Sequence, residues 1–159
     1  MEGSERAKLW LALALVVTAL GSAACADDDG DETGTSAKES GEPILIKTHV
    51  APLNARGETT GEVLSGSTIG DSAFCAGGRF SDGHGEPPLG LVVKAFRCPG
   101  GTLTITFSPT QPSLKQSSDW EVVKGLGRFE GLSGGGRMRA VFESRVGEGR
   151  ETFTGTVAR

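Results

Sequence analysis

Strict alternation of polar and apolar residues is the feature that most constrains the fold of this chain. Residues 102–107 read Thr-Leu-Thr-Ile-Thr-Phe, with no error in the alternation. Residues 137–142 place Met, Ala and Phe on one side of an extended chain and two arginines on the other, and residues 151–157 repeat the scheme. Because successive side chains of a strand point to opposite faces, this period of two predicts strands with one buried face.

Further segments extend this pattern over residues 43–159. Four of them, rich in β-branched and aromatic residues, are predicted strands: residues 44–50, 62–68, 91–97 and 120–124. Turn-forming residues separate the strands at residues 54–57, 81–83, 98–101 and 147–149. About eight short strands in one small domain favour a closed antiparallel β-barrel over a sandwich, since closure leaves no unpaired edge. The sequence therefore predicts an all-β barrel domain, and the 20 glycines within residues 43–159 fit strongly bent strands.

The first 24 residues have the pattern of a secretory signal peptide. A polar start that carries Arg6 and Lys8 precedes an apolar run over residues 9–24, and small residues end the run. These 16 residues fall short of the roughly 20 that span a bilayer comfortably. We therefore predict a cleaved signal peptide over residues 1–24, with an uncleaved anchor helix as the alternative. Both interpretations predict that the protein is exported.

Cys25 follows the small residues directly, and the segment resembles a bacterial lipoprotein signal. In that family the cysteine becomes the lipid-modified first residue of the mature chain. Residues 25–42 hold seven acids and one lysine. Such a segment repels itself and buries little apolar surface, which predicts a disordered tether. We therefore expect a protein anchored through Cys25 on the outer face of the cell membrane, with free secretion as the alternative.

The cysteine count agrees with export. With Cys25 acylated, Cys75 and Cys98 remain, and an exported domain of this size is expected to pair them in a disulfide. A zinc site built from these two cysteines and His84 is the competing interpretation. An oxidising compartment favours the disulfide.

Several classes of function are excluded by composition and motifs. A net charge of −4 excludes a basic nucleic-acid binder, and 36% hydrophobic residues exclude a polytopic membrane protein. Residues 125–131 lack the third glycine of a dinucleotide site, and a strand pattern follows them instead of a helix. The chain has no tyrosine, and its two histidines, His49 and His84, match no metal template with their acidic neighbours. No cofactor, metal site or catalytic residue is predicted.

The glycine-rich corner at residues 120–136 carries a family resemblance. It reads Trp-Glu-Val-Val-Lys-Gly-Leu-Gly-Arg-Phe-Glu-Gly-Leu-Ser-Gly-Gly-Gly, and it resembles the corresponding run of bacterial allene oxide cyclase-like barrel proteins. Dirigent proteins share a similar corner. Residues 74–78 and 96–103 are similar to the paired cysteine segments of uncharacterised exported members, mostly actinobacterial. The resemblance covers residues 62–157 and implies a calycin-like barrel. No position matches the cyclase's catalytic residues, so its activity is not carried over.

A ligand cavity inside the barrel is the remaining candidate site. Four aromatic side chains could line it for a small apolar ligand: Trp120, Phe129, Phe142 and Phe153. The alternative is plain core, since small barrels fill with side chains. We expect a non-enzymatic binding or envelope-accessory module. The alternative is a cyclase or isomerase acting on an apolar molecule, which would need an open pocket with converging polar groups.

Overall fold

A computed structural model describes residues 41–56, 58–84, 90–109, 113–144 and 147–159. The predicted signal peptide, the lipidation site at Cys25 and all but the last two residues of the predicted tether lie outside the described residues. Within these ranges there is no helix of the length and hydropathy that crossing a membrane requires. The described residues form ten strands: β1 (Glu42–Val50), β2 (Thr60–Val63), β3 (Thr68–Ile69), β4 (Ser72–Ala73), β5 (Arg79–His84), β6 (Val92–Cys98), β7 (Gly101–Phe107), β8 (Lys115–Gly127), β9 (Ser133–Phe142) and β10 (Gly149–Ala158).

Eight of these strands close into an antiparallel barrel. Hydrogen-bonded neighbours follow the order β1–β2–β5–β6–β7–β8–β9–β10, and β10 pairs with β1 to complete the circle. The closing ladder runs from Glu42 opposite Val157 to Val50 opposite Gly149. The short strand β3 pairs with the first half of β1, beyond the end of β2, and forms a hairpin with β4. The predicted all-β antiparallel barrel is confirmed.

The alternation in the sequence becomes the inside and the outside of this barrel. In β7, Leu103 and Ile105 are fully buried, as the alternation at residues 102–107 predicts. In β9, Met138 is fully buried whereas its neighbours Arg137 and Arg139 are exposed. Burying one large apolar side chain contributes roughly 1.5–3 kcal/mol, so the inward face stabilises the barrel.

Aromatic rings pack the middle of the barrel. The ring of Phe153 is fully buried, and its centroid lies 6.1 Å from that of Phe96, 5.6 Å from that of Phe107 and 6.3 Å from that of Trp120. The Trp120 indole N–H reaches past β9 and donates to the Thr154 carbonyl at 3.2 Å. A Cβ at Gly136, which lies between them in the ladder, would overlap that carbonyl oxygen. Glycine is therefore required where the indole crosses.

A disulfide joins Cys75, after β4, to Cys98 at the end of β6. The predicted pairing of these two cysteines is confirmed. Because both thiols are joined in this bond, the alternative zinc site with His84 does not form in this structure. Cys75 is buried and belongs to the core, so the bond fixes the β4–β5 connection against the barrel wall.

Two local predictions were wrong. The predicted turn at residues 81–83 is part of strand β5, which pairs with both β2 and β6. Asp82 is accommodated in this strand because Lys94 lies directly opposite it and binds its carboxylate. The predicted strand at residues 62–68 is interrupted after β2, where Gly66 adopts a φ of 77° that strands do not use.

Candidate functional site

A cluster of charged side chains is buried inside the barrel. Lys94 has an exposed fraction of 0%. Its ammonium nitrogen lies 2.8 Å from Oδ1 of Asp82 and 2.9 Å from Oε2 of Glu151. The Thr48 hydroxyl donates to the same Glu151 oxygen at 2.8 Å. These four residues, from β6, β5, β10 and β1, are called the charged cluster below.

The ladder registers bring the cluster together. Asp82 lies directly opposite Lys94 in the β5–β6 ladder, and Thr48 lies directly opposite Glu151 in the β1–β10 ladder. Directly opposite side chains on one face of a sheet are in contact distance. The cluster is therefore two cross-strand pairs, which the curvature of the closed barrel joins through the Lys94–Glu151 contact.

The surroundings of Lys94 compensate for the loss of water. Burial of an ammonium is costly unless opposite charges and hydrogen bonds replace its hydration. Both carboxylates do so here, and the nitrogen also lies 3.7 Å from the centroid of the Phe80 ring. The Phe107 ring lies further away, at 5.8 Å. The ammonium is thus enclosed by acids and aromatic faces.

A cavity of about 230 Å³ opens at the end of the barrel next to this cluster. We call this end the mouth; it lies where β1 ends at Val50 and β10 begins at Gly149. The apolar part of its lining is supplied by Val50, Ala51, Leu53, Val92, Phe107, Pro109 and Phe142. Asp82 and Glu151 also line the cavity, with side chains 9% and 4% exposed, whereas Lys94 does not line it. A molecule entering the mouth therefore meets the two acids and not the lysine.

A buried hydroxyl on β8 has no hydrogen-bond partner among the described residues. It belongs to Ser118 of β8, which is 7% exposed. Gln116, two residues earlier and on the same side of the strand, lines the cavity. Most buried polar groups in proteins are hydrogen-bonded, so this exception needs an explanation.

A second cavity, of about 530 Å³, lies at the opposite end of the barrel. Its charged lining residues are all exposed: Glu42, Arg128 and Arg159. Arg159 donates to the Arg128 carbonyl at 2.7 Å, and the Arg128 guanidinium lies 4.7 Å from the Phe129 ring centroid. The described residues around this cavity include no buried charge, so the mouth is the better candidate site.

The structure separates the four aromatic residues of the predicted pocket. Phe142 lines the mouth cavity and Phe129 lines the cavity at the other end. Trp120 and Phe153 pack against each other in the core between the two cavities. Of the two histidines, His49 lies apart from the charged cluster. His49 is half-buried, and its Nε2 lies 3.7 Å from Oε2 of Glu148, whereas the side chain of His84 is not described.

The sequence interpretation missed the charged cluster, although the alternation carried a signal for three of its members. Lys94 lies two residues from the buried Phe96, Glu151 two from Phe153, and Thr48 two from Ile46. Residues two apart in a strand point to the same face, so these three side chains are expected to point inward. A charged residue at an inward-facing position of a strand indicates a buried charge. Asp82 gave no such signal because its segment was predicted to be a turn.

Comparison with known proteins adds no assignment. No protein-family model, curated protein or solved structure matches the chain. Within the described ranges, no group of three or more His, Cys, Asp or Glu side chains is placed to hold a metal ion. Function is therefore argued from the mouth cavity and the charged cluster.

Proposed function

We propose that this chain is an exported, lipid-anchored protein whose barrel binds a small molecule at its mouth. The observation that carries the proposal is the mouth cavity, in which Asp82 and Glu151 lie among seven apolar and four uncharged polar side chains of the described residues. Cavities with apolar walls and a few fixed polar groups are the usual form of small-molecule sites. Fold stability does not require a buried ion cluster, since apolar residues of similar volume often serve as well or better. A role in binding explains why this barrel contains one.

The charged cluster supports binding because it holds the polar groups in place before a ligand arrives. Lys94 contacts both carboxylates, and Thr48 donates to Glu151. Groups already fixed in the bound geometry lose little freedom when a ligand binds. The mouth thus presents a preorganised pair of acceptors.

Export and anchoring are supported by the leader pattern, by Cys25 and by the acidic segment that follows it. The Cys75–Cys98 disulfide is compatible with an oxidising compartment. Strand β1 begins at Glu42, at the end of the barrel away from the mouth. The predicted tether is therefore joined to the barrel at the end away from the mouth.

A second candidate function is isomerisation or cyclisation of a molecule held in the same cavity, which the resemblance to allene oxide cyclase-like barrels allows although no catalytic residue of that family is matched. The observation that favours it is the convergence of Asp82 and Glu151 on the cavity, since carboxyl groups serve as general acids and bases. Both carboxylates are already engaged by Lys94. Binding without chemistry is therefore the function that the geometry supports better.

The anchor is tested by the mass of the mature protein. We expect the full chain, made in a bacterial host with its own leader and extracted from membranes with detergent, to begin at a diacylglyceryl-modified Cys25. Reduction should add two hydrogens, because Cys75 and Cys98 are paired. A mature chain with an unmodified start would refute the anchor and make the protein freely secreted.

The mouth is tested with 1-hexanol, a small neutral probe with an apolar chain. In a nuclear magnetic resonance titration, we expect shifts of amides around the mouth cavity. Ala51→Trp should abolish them, because Ala51 lines the cavity and an indole there would fill it. Ala73→Trp, which places the same side chain at the opposite cavity, is the matched control and should leave them unchanged. Equal shifts in the two variants would refute a site at the mouth.

A further inference from the structure

Four cationic side chains lie next to one another on the outside of the barrel, on strands β8, β9, β10 and β1. We call them the basic face: Lys47, Lys115, Arg139 and Arg150. All four are exposed. Lys115 and Arg150 flank Val141 as its direct partners in two ladders. Arg139 and Lys47 flank Thr152 in the same way. The ladder registers therefore gather the four cations into one patch.

The spacing of a β-sheet makes this patch small. Arg139 and Val141 are two residues apart on β9, which separates the two rows of cations by about 7 Å. Within each row the two cations stand two strands apart, at about 10 Å between their backbones. Lysine and arginine carry their charges on long, flexible stems. The four charges can therefore meet one anionic surface together.

Positive charge on the basic face is not balanced within the described residues. None of its four members forms an ion pair there, and the outward positions of β9 and β10 hold no acid. Two acids at its borders are engaged by other residues: Asp119 lies 2.8 Å from Arg137, and Glu148 lies 3.7 Å from His49. Soluble surfaces usually mix both signs, and like charges that are neighbours in a sheet are destabilising. An anionic partner would therefore stabilise this arrangement.

An apolar residue lies at the centre of the basic face. Val141 is 56% exposed, the largest fraction among the large apolar side chains of the described residues. Basic side chains around an apolar one fit the boundary of a bilayer, where the headgroups meet the acyl chains. The face thus offers charge to the headgroups and a short apolar contact to the lipid beneath them.

We propose that the basic face binds the anionic phospholipid headgroups of the membrane that carries the anchor. The inference rests on the proposed function, because the predicted lipid on Cys25 is what holds the barrel beside that membrane. Residues 26–41 separate Cys25 from β1, and 16 residues reach at most roughly 55 Å. A strand of 10 residues such as β10 is only about 33 Å long, so the side of the barrel can meet the bilayer. In this orientation the mouth, at one end of the barrel, is not covered.

Sedimentation with lipid vesicles tests the face without the anchor. The protein is the mature chain from residue 25 with Cys25→Ser, so that no acyl chain holds it on the vesicles. We expect at least tenfold tighter binding to vesicles of phosphatidylcholine and phosphatidylglycerol in equal parts than to phosphatidylcholine alone. The preference should fade as salt is added, because the contact is electrostatic. Equal binding to both kinds of vesicle would overturn the proposal.

Two matched double variants locate the contact. Arg139→Gln with Arg150→Gln removes two charges from the basic face and should weaken binding to the anionic vesicles at least tenfold. Arg79→Gln with Arg97→Gln removes the same charge from the opposite side of the barrel and should leave binding unchanged. Arg79 and Arg97 are exposed, lie directly opposite each other in the β5–β6 ladder and form no ion pair among the described residues. Equal losses in the two double variants would indicate a response to net charge alone and would contradict a contact through the basic face.

A competing occupant of the basic face is the acidic segment of residues 27–32 in the chain itself. Binding to neither kind of vesicle would overturn the proposal. Binding that begins only after the acids of this segment are replaced by their amides would also overturn it, and would identify the segment as the occupant. The anchor is decided separately by the mass of the mature protein, since Cys25→Ser removes the acyl chain from the vesicle measurement.

Discussion

Replacing Lys94 with methionine is expected to lower the free energy of unfolding by about 3–5 kcal/mol. Methionine has a similar length but no charge, so it leaves Asp82 and Glu151 buried without the ammonium that now lies within 3.0 Å of both. Typical domains have a total stability of only about 5–15 kcal/mol, so the loss is a large fraction. The midpoint of urea unfolding measures it.

Two comparisons show whether the lost ion contacts cause the effect. Lys124→Met, at an exposed lysine of β8, should change stability by no more than about 0.5 kcal/mol. Adding Asp82→Asn and Glu151→Gln to Lys94→Met should recover most of the loss, because no uncompensated charge then remains buried. If Lys94→Met and Lys124→Met unfold at the same urea concentration, the charged cluster does not stabilise the barrel as the structure indicates.

Phe153→Ala is expected to lower the free energy of unfolding by a similar amount, about 3–5 kcal/mol. Phe153 is fully buried, and its ring contacts those of Phe96, Phe107 and Trp120. The truncation removes apolar contacts on several sides and leaves a void that the rigid barrel cannot close. Urea unfolding followed by Trp120 fluorescence would report both the loss of stability and the loosening of the core.

Phe142→Ala is the matched control, since both residues were candidates for the same aromatic pocket. Phe142 is only half-buried and lines a cavity that is already open. Its truncation enlarges that cavity without creating an enclosed void, so we expect a loss of about 1 kcal/mol. Equal losses in the two variants would contradict the assignment of Phe153 to the core and of Phe142 to the mouth.

The barrel could be predicted from the sequence because its determinant is local. Each strand carries its own inward and outward residues, as in β7, where Leu103 and Ile105 are fully buried and the alternating Thr102 and Thr104 are half-buried. The turn at residues 98–101 was predicted for the same reason, since Pro99 and Gly100 favour a turn wherever they occur, and Gly100 adopts a φ of 81°. Both patterns depend only on residues that are neighbours in the sequence.

The candidate site could not be predicted in full because it depends on which strands become neighbours. Asp82 and Gly83 favour a turn in isolation, and only the pairing of β5 with β6 places Lys94 against Asp82. The sequence also shows no link between Thr48 and Glu151, which meet because β10 pairs with β1. The alternation of polar and apolar residues indicates that such side chains are buried, but it does not show which other side chain each one contacts.

The closing ladder between β1 and β10 also determines when the charged cluster forms. The hydrogen bond from Thr48 to Glu151 joins residues 103 positions apart, across most of the barrel sequence. Contacts between such distant positions form slowly, because a long loop must close before any contact stabilises it. Until β10 is in place, β1 and β9 are open edges that can pair with other chains. Since β10 also supplies Glu151, the same late step that protects the chain from aggregation completes the charged cluster beside the mouth cavity.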